Sequence, residues 1–528
     1  MSIDVLASNL IRRVNVGDSL TRSAARNPHA LALAEGTRRL SYTEFNEYVN
    51  RLAHSLIGRG IEVGDAVALA SGNSIEFLTT YYACAKIGAV CVPINLDWRA
   101  EEVAYVLDDS QARCFVVQAE VAETMAAAVR EAARTELVIV VGSSTTTFGD
   151  VPTVPFDELT AHQAGSEPER LVGDRAALTY LYTSGTTAAP KGVVGNHTAV
   201  YLESMTMVIE GQFRADDKFA AMLPMFHTAQ LNCHCTAAIM VGAAIYILPG
   251  FDAENLLTLI ESEAITQLFG LPMMYRAMLD HESIARRNLS SLRRALYAMA
   301  PMPQQMLEQC IEDFGCDFYL LFGQTEMSPT ATIFRPENQL THPGAVGTPA
   351  VNVHVAIMDE SGRLLERGCT GEIVYRGPHV MTEYLGRPDD TEEAFRHGWF
   401  HSGDIGHFDD DGILWFTDRR KDVIKTGGEN VSSLEVEKAL YAAEPDAAEV
   451  VVVGLPHARW SEAITAFVVP RPGTRPDPET IRENMRNHID AYKIPKGIVI
   501  VGDLPKTATG KIQKHQVRTA HTGLYQTL

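Results

Sequence analysis

The stretch Leu181-Tyr-Thr-Ser-Gly-Thr-Thr-Ala-Ala-Pro-Lys-Gly192 decides how this sequence is interpreted. It follows an apolar run at residues 176–181 that predicts a β-strand. Hydroxyl side chains surround Gly185, and Lys191 adds a positive charge a few residues later. Backbone N–H groups, hydroxyls and a lysine in one loop are donors suited to a polyphosphate. The loop lacks the Walker A pattern, and the alternative interpretation is a Ser/Thr-rich surface turn.

The sequence on both sides of this loop alternates strand and helix patterns. Short apolar runs at Ala66–Ala70, Val90–Pro93 and residues 114–117 predict strands. Residues 42–56 and Ile75–Ile87 carry apolar side chains at helical spacing. Strands that alternate with helices of this length indicate parallel α/β sheets.

The character of the sequence changes twice toward the C-terminus. From Gly347 onward, short β-like runs separated by Gly turns predict a β-rich subdomain at about residues 347–417. After Asp418, strand and helix patterns indicate a compact α+β domain. The predicted fold class is therefore α/β. It combines a large N-terminal domain of stacked sheets (1–419) with a small C-terminal domain (420–528).

Charge limits the classes of partner. The chain has 528 residues and a formal net charge of −21. Such a field repels phosphate backbones and excludes a protein that coats nucleic acids. The same field opposes the binding of small phosphate compounds unless local cations offset the negative charge. Residues 491–528 carry a formal charge of +5, so positive charge is concentrated at the C-terminal end.

Membrane insertion and secretion are not expected. The uncharged run at 219–251 is interrupted by polar residues and prolines, and its densest apolar part is shorter than the ~20 residues of a membrane span. A buried helix and strand are expected there. Cys233-His234-Cys235 lacks the spacing of a structural zinc site, so both cysteines are expected to be buried small residues. The N-terminus does not resemble a signal peptide, and the predicted location is the cytoplasm.

Four further motifs follow the loop in order: Phe322-Gly-Gln-Thr-Glu326, Trp399-Phe-His-Ser-Gly-Asp404, Asp418-Arg-Arg-Lys-Asp-Val-Ile-Lys-Thr-Gly-Gly-Glu-Asn430 and Pro505-Lys-Thr-Ala-Thr-Gly-Lys511. Together with the loop, they resemble the motifs of the adenylate-forming superfamily of acyl-CoA synthetases, luciferases and peptide-synthetase adenylation domains. The resemblance extends from about Tyr42 to Lys514. It implies an AMP-forming acid–thiol ligase, in which a carboxylic acid reacts with MgATP to give an acyl adenylate and coenzyme A then displaces AMP.

The resemblance also implies a nucleotide site. Phe322 is expected to stack on adenine, and Glu326 is the expected Mg²⁺ ligand. Lys511 resembles the lysine that bridges the carboxylate and the α-phosphate, where a cation offsets their repulsion. The expected catalytic residues are Lys511, His227, Lys191 and Thr325. The expected ATP and AMP contacts are Thr183, Ser184, Gly185, Thr186, Thr187, Lys191, Ala300, Phe322, Gly323, Thr325, Asp404 and Arg419, the last two for the ribose hydroxyls.

The acyl pocket and the thiol step have their own expected residues. His227 is interpreted as a gate between the acyl pocket and the thiol tunnel that orients groups without acting as an acid or base. The tract from Phe226 onward is most similar to that of carnitine- and crotonobetaine-type CoA ligases. Cyclic, branched and linear acids, including secondary-metabolism intermediates, are all consistent with the sequence as substrates. The expected pocket residues are His227, Ala229, Cys233, Met299, Ala300 and Met327.

The C-terminal motifs imply a domain rotation. Lys421 lies at the family's hinge position. Lys425, Gly427 and Gly428 are expected beside the pantetheine arm in the thioester-forming pose, because small residues permit the close approach of a thin chain.

Two departures from the family pattern leave alternatives open. Ala188 stands where the family usually has Gly, and Ala298-Met-Ala-Pro301 replaces Gly-Gly-Ala-Pro. One alternative is an enzyme that passes its acyl adenylate to an acyl-accepting protein. A second is a non-catalytic nucleotide-binding module, against which Glu326, Lys191 and Lys511 argue. A homodimer also stays open.

Overall fold

The computed structural model describes residues 4–161, 163–183, 190–299, 302–506 and 512–525. The chain divides into two compact units. One comprises the described part of Met1–Val355 together with Tyr375–Phe400, and the other comprises Ala356–Val374 with the described part of His401–Leu528. The domain boundary near residue 420 stays a prediction.

The α-helices are α1 (Val5–Arg12), α2 (Gly17–Arg26), α3 (Tyr42–Gly58), α4 (Ile75–Ile87), α5 (Ala100–Asp109), α6 (Ala122–Glu131), α7 (Phe156–Ala161), α8 (His197–Glu210), α9 (Thr236–Val241), α10 (Ala253–Glu263), α11 (Pro272–Leu279), α12 (Gln304–Phe314), α13 (Pro336–Gln339), α14 (Pro388–Ala394), α15 (Ser433–Ala443), α16 (Pro478–Met485) and α17 (Lys514–His521). A π-helix spans Ala229–Cys235. Short 3₁₀ helices occur at Ala119–Val121, Ile284–Arg286, Thr325–Met327, Arg396–Gly398 and Ala491–Lys493.

The strands are β1 (Leu31–Glu35), β2 (Arg38–Ser41), β3 (Ala66–Ala70), β4 (Val90–Pro93), β5 (Cys114–Gln118), β6 (Leu137–Val141), β7 (Thr153–Pro155), β8 (Ala177–Thr183), β9 (Lys191–Asn196), β10 (Lys218–Ala221), β11 (Ala244–Ile247), β12 (Gln267–Gly270), β13 (Arg294–Tyr297), β14 (Asp317–Gly323), β15 (Thr330–Phe334), β16 (Thr348–Pro349), β17 (His354–Met358), β18 (Gly371–Arg376), β19 (Phe400–Phe408), β20 (Leu414–Arg419), β21 (Ile424–Thr426), β22 (Glu429–Val431), β23 (Ala447–His457), β24 (Ser461–Pro470) and β25 (Gly497–Ile500).

Two large sheets form the first unit. A seven-stranded sheet has the order β7-β6-β5-β3-β4-β8-β9, and a nine-stranded sheet has the order β16-β15-β14-β13-β12-β10-β11-β1-β2. Within the larger sheet, the neighbours from β11 through β10, β12 and β13 to β14 are parallel. The prediction of parallel α/β sheets is confirmed.

Helix α4 is buried along its whole length because it packs against strands of both large sheets and against α3. Its apolar residues belong to one core with residues of both sheets, such as Leu69 and Phe219. Its two charged side chains are paired. Glu76 accepts a hydrogen bond from Arg38 over 2.8 Å, and the Lys86 ammonium donates to Asn46, Asn50 and Glu167.

The second unit contains two smaller sheets. A four-stranded sheet has the order β17-β18-β19-β20, and a five-stranded sheet places β22, β21, β24 and β23 side by side with β25 on β24. Helices α15 and α16 cover one face of the five-stranded sheet, while α17 contributes Val517 to the other. The predicted small α+β domain is confirmed as a fold.

The uncharged run at 219–251 folds as the end of β10, the π-helix, α9 and β11, which confirms a buried helix and strand. In the described part of the chain, no helix is long and apolar enough to span a bilayer. Cys233 and Cys235 are buried, as predicted.

Candidate active site

The parallel strands of the nine-stranded sheet bring three predicted segments to one edge. Because β10, β13 and β14 run in the same direction, the residues after their carboxyl ends lie along that edge. These residues are the segment up to His227, the pair Ala298-Met299 and the segment Gln324–Glu326. Ligands of open α/β sheets bind outside the carboxyl ends of the strands. The edge is therefore the candidate active site of the first unit.

The Phe-Gly-Gln-Thr-Glu motif closes β14 at this edge. Phe322 and Gly323 are its last residues, and Thr325 begins a 3₁₀ turn. A Cβ at Gly323 would lie 2.1 Å from the carbonyl oxygen of Pro329, so no other residue fits the bulge. Phe322, Thr325 and Glu326 are half-buried, and Met327 is fully buried.

Lys191 and Glu326 are linked through Tyr384. The Lys191 ammonium lies 2.7 Å from Asp390 Oδ1 and 5.3 Å from the centre of the Tyr384 ring. The Tyr384 hydroxyl donates to Glu326 Oε1 over 2.8 Å. Tyr384 reaches this position because its segment hydrogen-bonds along β9, for example from Leu385 N to Gly192 O. The structure thus places the phosphate-loop lysine and the expected Mg²⁺ ligand in one network.

Glu326 can serve a magnesium ion only together with substrate oxygens. Within the described ranges, no cluster of three His, Cys, Asp or Glu side chains could hold a metal by itself. Magnesium is commonly held by one or two carboxylates and by substrate phosphates. A single carboxylate, oriented by Tyr384 and linked through that ring to Lys191, fits that ligand set.

The ends of the phosphate loop are held by tyrosines that the sequence did not single out. Thr183 ends β8, and Lys191 begins β9. Tyr182 donates to Asp109 over 2.7 Å, and the Tyr105 hydroxyl donates to the carbonyl of Pro190. The expected residues Ser184, Gly185, Thr186, Thr187, Ala300 and Lys511, and the departure at Ala188, lie outside the described residues.

The second unit brings together the two residues expected at the ribose. Asp404 and Arg419 are direct cross-strand neighbours on β19 and β20. The Arg419 Nε lies 3.1 Å from Asp404 Oδ1, and the Asp404 side chain is 4 % exposed. An arginine beside the carboxylate fixes its orientation.

His227 is fixed in position by its loop, and its burial keeps the imidazole uncharged. The loop before it is fixed by Asn73, which accepts from Met225 N and donates to the carbonyl of Leu223. Burial lowers the pKa of His227 to about 4. Its Nε2 is buried and has no hydrogen-bond partner among the residues that the structure describes. The imidazole is therefore neutral at physiological pH and can orient a ligand.

The other expected pocket residues differ in their exposure. Ala229 and Cys233 belong to the π-helix and are buried, Cys233 completely. Met299 is 44 % exposed and has a left-handed backbone with φ of 70°. Glycine adopts that conformation without strain, which explains the glycine expected at this position. π-Helical segments are frequent at functional sites.

The loop expected at the thiol step is a tight hairpin. Gly427 and Gly428, with φ of 61° and 91°, are the two residues between the paired Thr426 and Glu429. Consecutive positive φ angles require a turn of this composition. Lys425 is exposed on the preceding strand, and Lys421 is exposed just after β20.

Comparisons with known proteins identify the family of the chain. The family described as AMP-binding enzyme matches residues 20–385, and its C-terminal domain family matches residues 435–511. The chain belongs to this family. A feruloyl-CoA synthase from Amycolatopsis sp. is 35 % identical over 509 residues, which cover 96 % of this chain and 99 % of the relative.

Two solved structures of the family have the same fold. ATP-bound MatB from Rhodopseudomonas palustris has a TM-score of 0.88 at 28 % identity, covering 97 % of this chain and 100 % of the other. The anthranilate CoA ligase AuaEII with anthranoyl-AMP has a TM-score of 0.88 at 26 % identity, covering 98 % and 99 %. The chain is a member of the adenylate-forming acyl-CoA synthetases, AMP-forming ligases that activate a carboxylic acid with ATP and transfer the acyl group to coenzyme A. The similarity of the pocket tract to carnitine-type ligases stays a prediction.

His227→Asn is expected to lower the rate of this AMP-binding enzyme without changing the shape of its pH profile. A histidine with a pKa of about 4 does not titrate between pH 6 and 9. The loss should stay below the roughly 10²–10⁴-fold effect of a lost general acid or base. The measurement is kcat/KM for pyrophosphate release across that pH range, with the exposed His354→Asn as control. The loss of an inflection near pH 6.5 would show that His227 exchanges protons.

Met299→Gly is expected to raise the thermal unfolding midpoint. A non-glycine residue in the left-handed region costs about 1 kcal/mol or more, and part of that gain is offset by the greater entropy of glycine in the unfolded chain. Val351→Gly is the matched control, because Val351 is also an exposed apolar residue, at 57 %, but has no positive φ. The control should lower the midpoint. A lowered midpoint for Met299→Gly would contradict the assignment of strain.

Proposed function

We propose that the acid activated by this ligase is a compact arylcarboxylic acid. The observation that carries the proposal is the pairing of small side chains, Ala229 and Cys233, with a buried neutral His227 in one segment of the candidate site. Small side chains leave room for a ring, and an apolar segment without charged side chains favours an aromatic group. The feruloyl-CoA synthase and the anthranilate CoA ligase among the relatives support the same class.

In the first half-reaction, the carboxylate attacks the α-phosphate of ATP and pyrophosphate leaves. We assign the β- and γ-phosphates to the loop from Thr183 to Thr187 and to Lys191. Phe322 stacks on adenine, and Asp404 with Arg419 binds the ribose hydroxyls. Lys511 bridges the carboxylate and the α-phosphate, where negative charge accumulates. A bound Mg²⁺ supplies charge neutralisation on the phosphates, and Glu326 would hold it.

In the second half-reaction, the thiol of coenzyme A attacks the acyl carbonyl and AMP leaves. The neutral His227 orients the groups at the mouth of the acyl pocket and takes no proton. We assign the pantetheine arm to the hairpin at Gly427 and Gly428, with Lys425 beside it, and the domain rotation to a hinge at Lys421. The hairpin suits a polyanionic cofactor because two positive charges lie close to it. Gly427 N donates to the carbonyl of Trp460, and the ring of Trp460 lies under Lys496 and Arg459.

The test is pyrophosphate release against a panel of aryl and linear carboxylic acids, with and without coenzyme A. We expect release with arylpropenoic and arylacetic acids, and formation of the corresponding thioester when coenzyme A is present. Release without any thioester would favour an acyl-accepting protein as the natural partner. The absence of release with every acid would contradict the assigned activity, and a preference for linear acids would contradict the arylcarboxylic class.

Gly428→Leu is expected to slow thioester formation and leave pyrophosphate release unchanged. Gly473→Leu is the matched control. Both glycines have positive φ, at 91° and 87°, and neither has an atom within 4 Å of an added Cβ, so the backbone strain is similar. Only Gly428 lies in the hairpin assigned to the pantetheine arm. The measurement is single-turnover thioester formation from preformed acyl adenylate. Equal effects of the two variants would contradict the assignment.

Tyr384→Phe is expected to raise the Mg²⁺ concentration needed for half-maximal pyrophosphate release by about 10-fold or more. The variant removes the hydroxyl that orients Glu326 and keeps the ring beneath Lys191. Loss of a group that orients a metal ligand typically costs 10–100-fold in metal affinity. Tyr201→Phe, on α8, is the control. An unchanged Mg²⁺ requirement would show that Glu326 does not hold the ion.

A further inference from the structure

A fully buried acidic and basic pair lies in the first unit outside the residues discussed so far. Glu203 is on α8, and His379 is in the segment that follows β18. Both side chains are 0 % exposed, and His379 Nδ1 lies 3.1 Å from Glu203 Oε2. Within the described ranges of the chain, Glu203 Oε1 and His379 Nε2 have no hydrogen-bond partner. Each member of the pair thus presents one unused polar atom.

The chemistry of the pair defines the missing partner. Glu203 Oε1 is a carboxylate oxygen, so it is an acceptor that needs a donor. His379 Nε2 accepts or donates according to the tautomer of the ring. An unpaired buried polar group is destabilising, and more so when it is charged. Unpartnered buried polar atoms in native structures therefore call for an explanation such as an ordered water or a ligand.

The surroundings of the pair connect it to the expected acyl pocket. Met207 follows Glu203 by one turn of α8, and its sulfur lies 3.9 Å from Thr330 Oγ1. The same hydroxyl lies 3.8 Å from the sulfur of Cys233 on the π-helix. Burial raises the pKa of the Cys233 thiol, and the charge of Glu203 raises it further. The charge of the Glu203 carboxylate therefore reaches Cys233, which is one of the expected pocket residues.

The placement of Glu203 is fixed by the fold. Helix α8 packs against the π-helix and α9, and Ser204 Oγ lies 2.8 Å from Oγ1 of Thr236, the first residue of α9. Asn352 anchors the other side of α8 by donating to Leu202 O and Thr206 Oγ1. A carboxylate held this firmly is pre-organised for a specific hydrogen bond.

We propose that Glu203 and His379 form the inner end of the acyl pocket and bind a hydroxyl or amino group at the end of the acyl chain far from the carboxylate. This inference rests on the proposed function, since it names the substituent of the acid that the ligase activates. A site built to hydrogen-bond a substrate group discriminates strongly against an analogue that lacks it, because the site's polar atoms are then left unpaired. Glu203 and His379 determine specificity and take no part in the chemistry.

The experiment compares acids that differ only in that group. The panel contains 4-hydroxycinnamate, 4-aminocinnamate and 4-methylcinnamate, together with 8-hydroxyoctanoate and nonanoate, so that a matched pair exists for aryl and linear chains. The measurement is kcat/KM for pyrophosphate release by the full-length wild type and by Glu203→Gln and Glu203→Met. Glu210→Gln is the control, because Glu210 is a buried carboxylate on the same helix that pairs with Arg335.

We expect the wild type to prefer the hydroxyl- or amino-bearing acid over its methyl analogue by about 10-fold or more. Glu203→Gln should reduce this ratio several-fold, mainly through KM for the donor-bearing acid. Glu203→Met should reverse it, while Glu210→Gln should leave it unchanged. A wild type without the preference, or variants that lower kcat/KM for all acids equally, would overturn the inference and assign the pair a purely structural role. If neither variant folds, the wild-type ratio decides. An absence of release with every acid would overturn the proposed function itself.

Discussion

The complete burial of α4 between two sheets is the constraint on which the first unit depends. A helix without a solvent face must be largely apolar and must pair its charged side chains. Its two charges meet this condition, because Arg38 pairs with Glu76, and two asparagines and Glu167 surround Lys86. Burial still lowers the pKa of Lys86 to about 8. The desolvation penalty is thus only partly offset, and the neighbouring helix α3, which carries both asparagines, is fixed against α4.

This packing fixes the strands and helices of the first unit, so the connecting loops at the carboxyl edge of the nine-stranded sheet form the candidate site. The connections after β10, β13 and β14 leave the sheet there, and the antiparallel pair β8–β9 brings Lys191 to Glu326 through the ring and hydroxyl of Tyr384. Tyr384 contacts both charged groups, Glu326 and Lys191. Its hydroxyl orients the carboxylate, and its ring face lies beneath the ammonium, an arrangement that is attractive for a cation.

Much of the fold could be predicted because its central elements are continuous apolar runs. The predicted strands at Ala66–Ala70 and Val90–Pro93, and the helix at Ile75–Ile87, coincide with the observed bounds. Tyr384 and Asp390 could not be found from sequence, because their partners Glu326 and Lys191 are distant along the chain and only the pairing of residues 382–385 with β9 brings them together. The left-handed Met299 was equally hidden, since periodicity does not report a single φ angle.

In a chain of net charge −21, each unit contains one of the cations that were expected at the nucleotide. Lys191 and Arg419 are each held by a carboxylate, Asp390 and Asp404 respectively. Each carboxylate fixes the position of its cation and lowers the local positive charge, so a phosphate must compete with Asp390 for Lys191. Such competition weakens binding of any single phosphate, since ion pairs of partly exposed groups are worth little. A ligand with several linked phosphates overcomes this competition better than a single phosphate, because each further contact is made at high effective concentration. The pairing of Lys191 with Asp390 thus favours a polyphosphate over free inorganic phosphate.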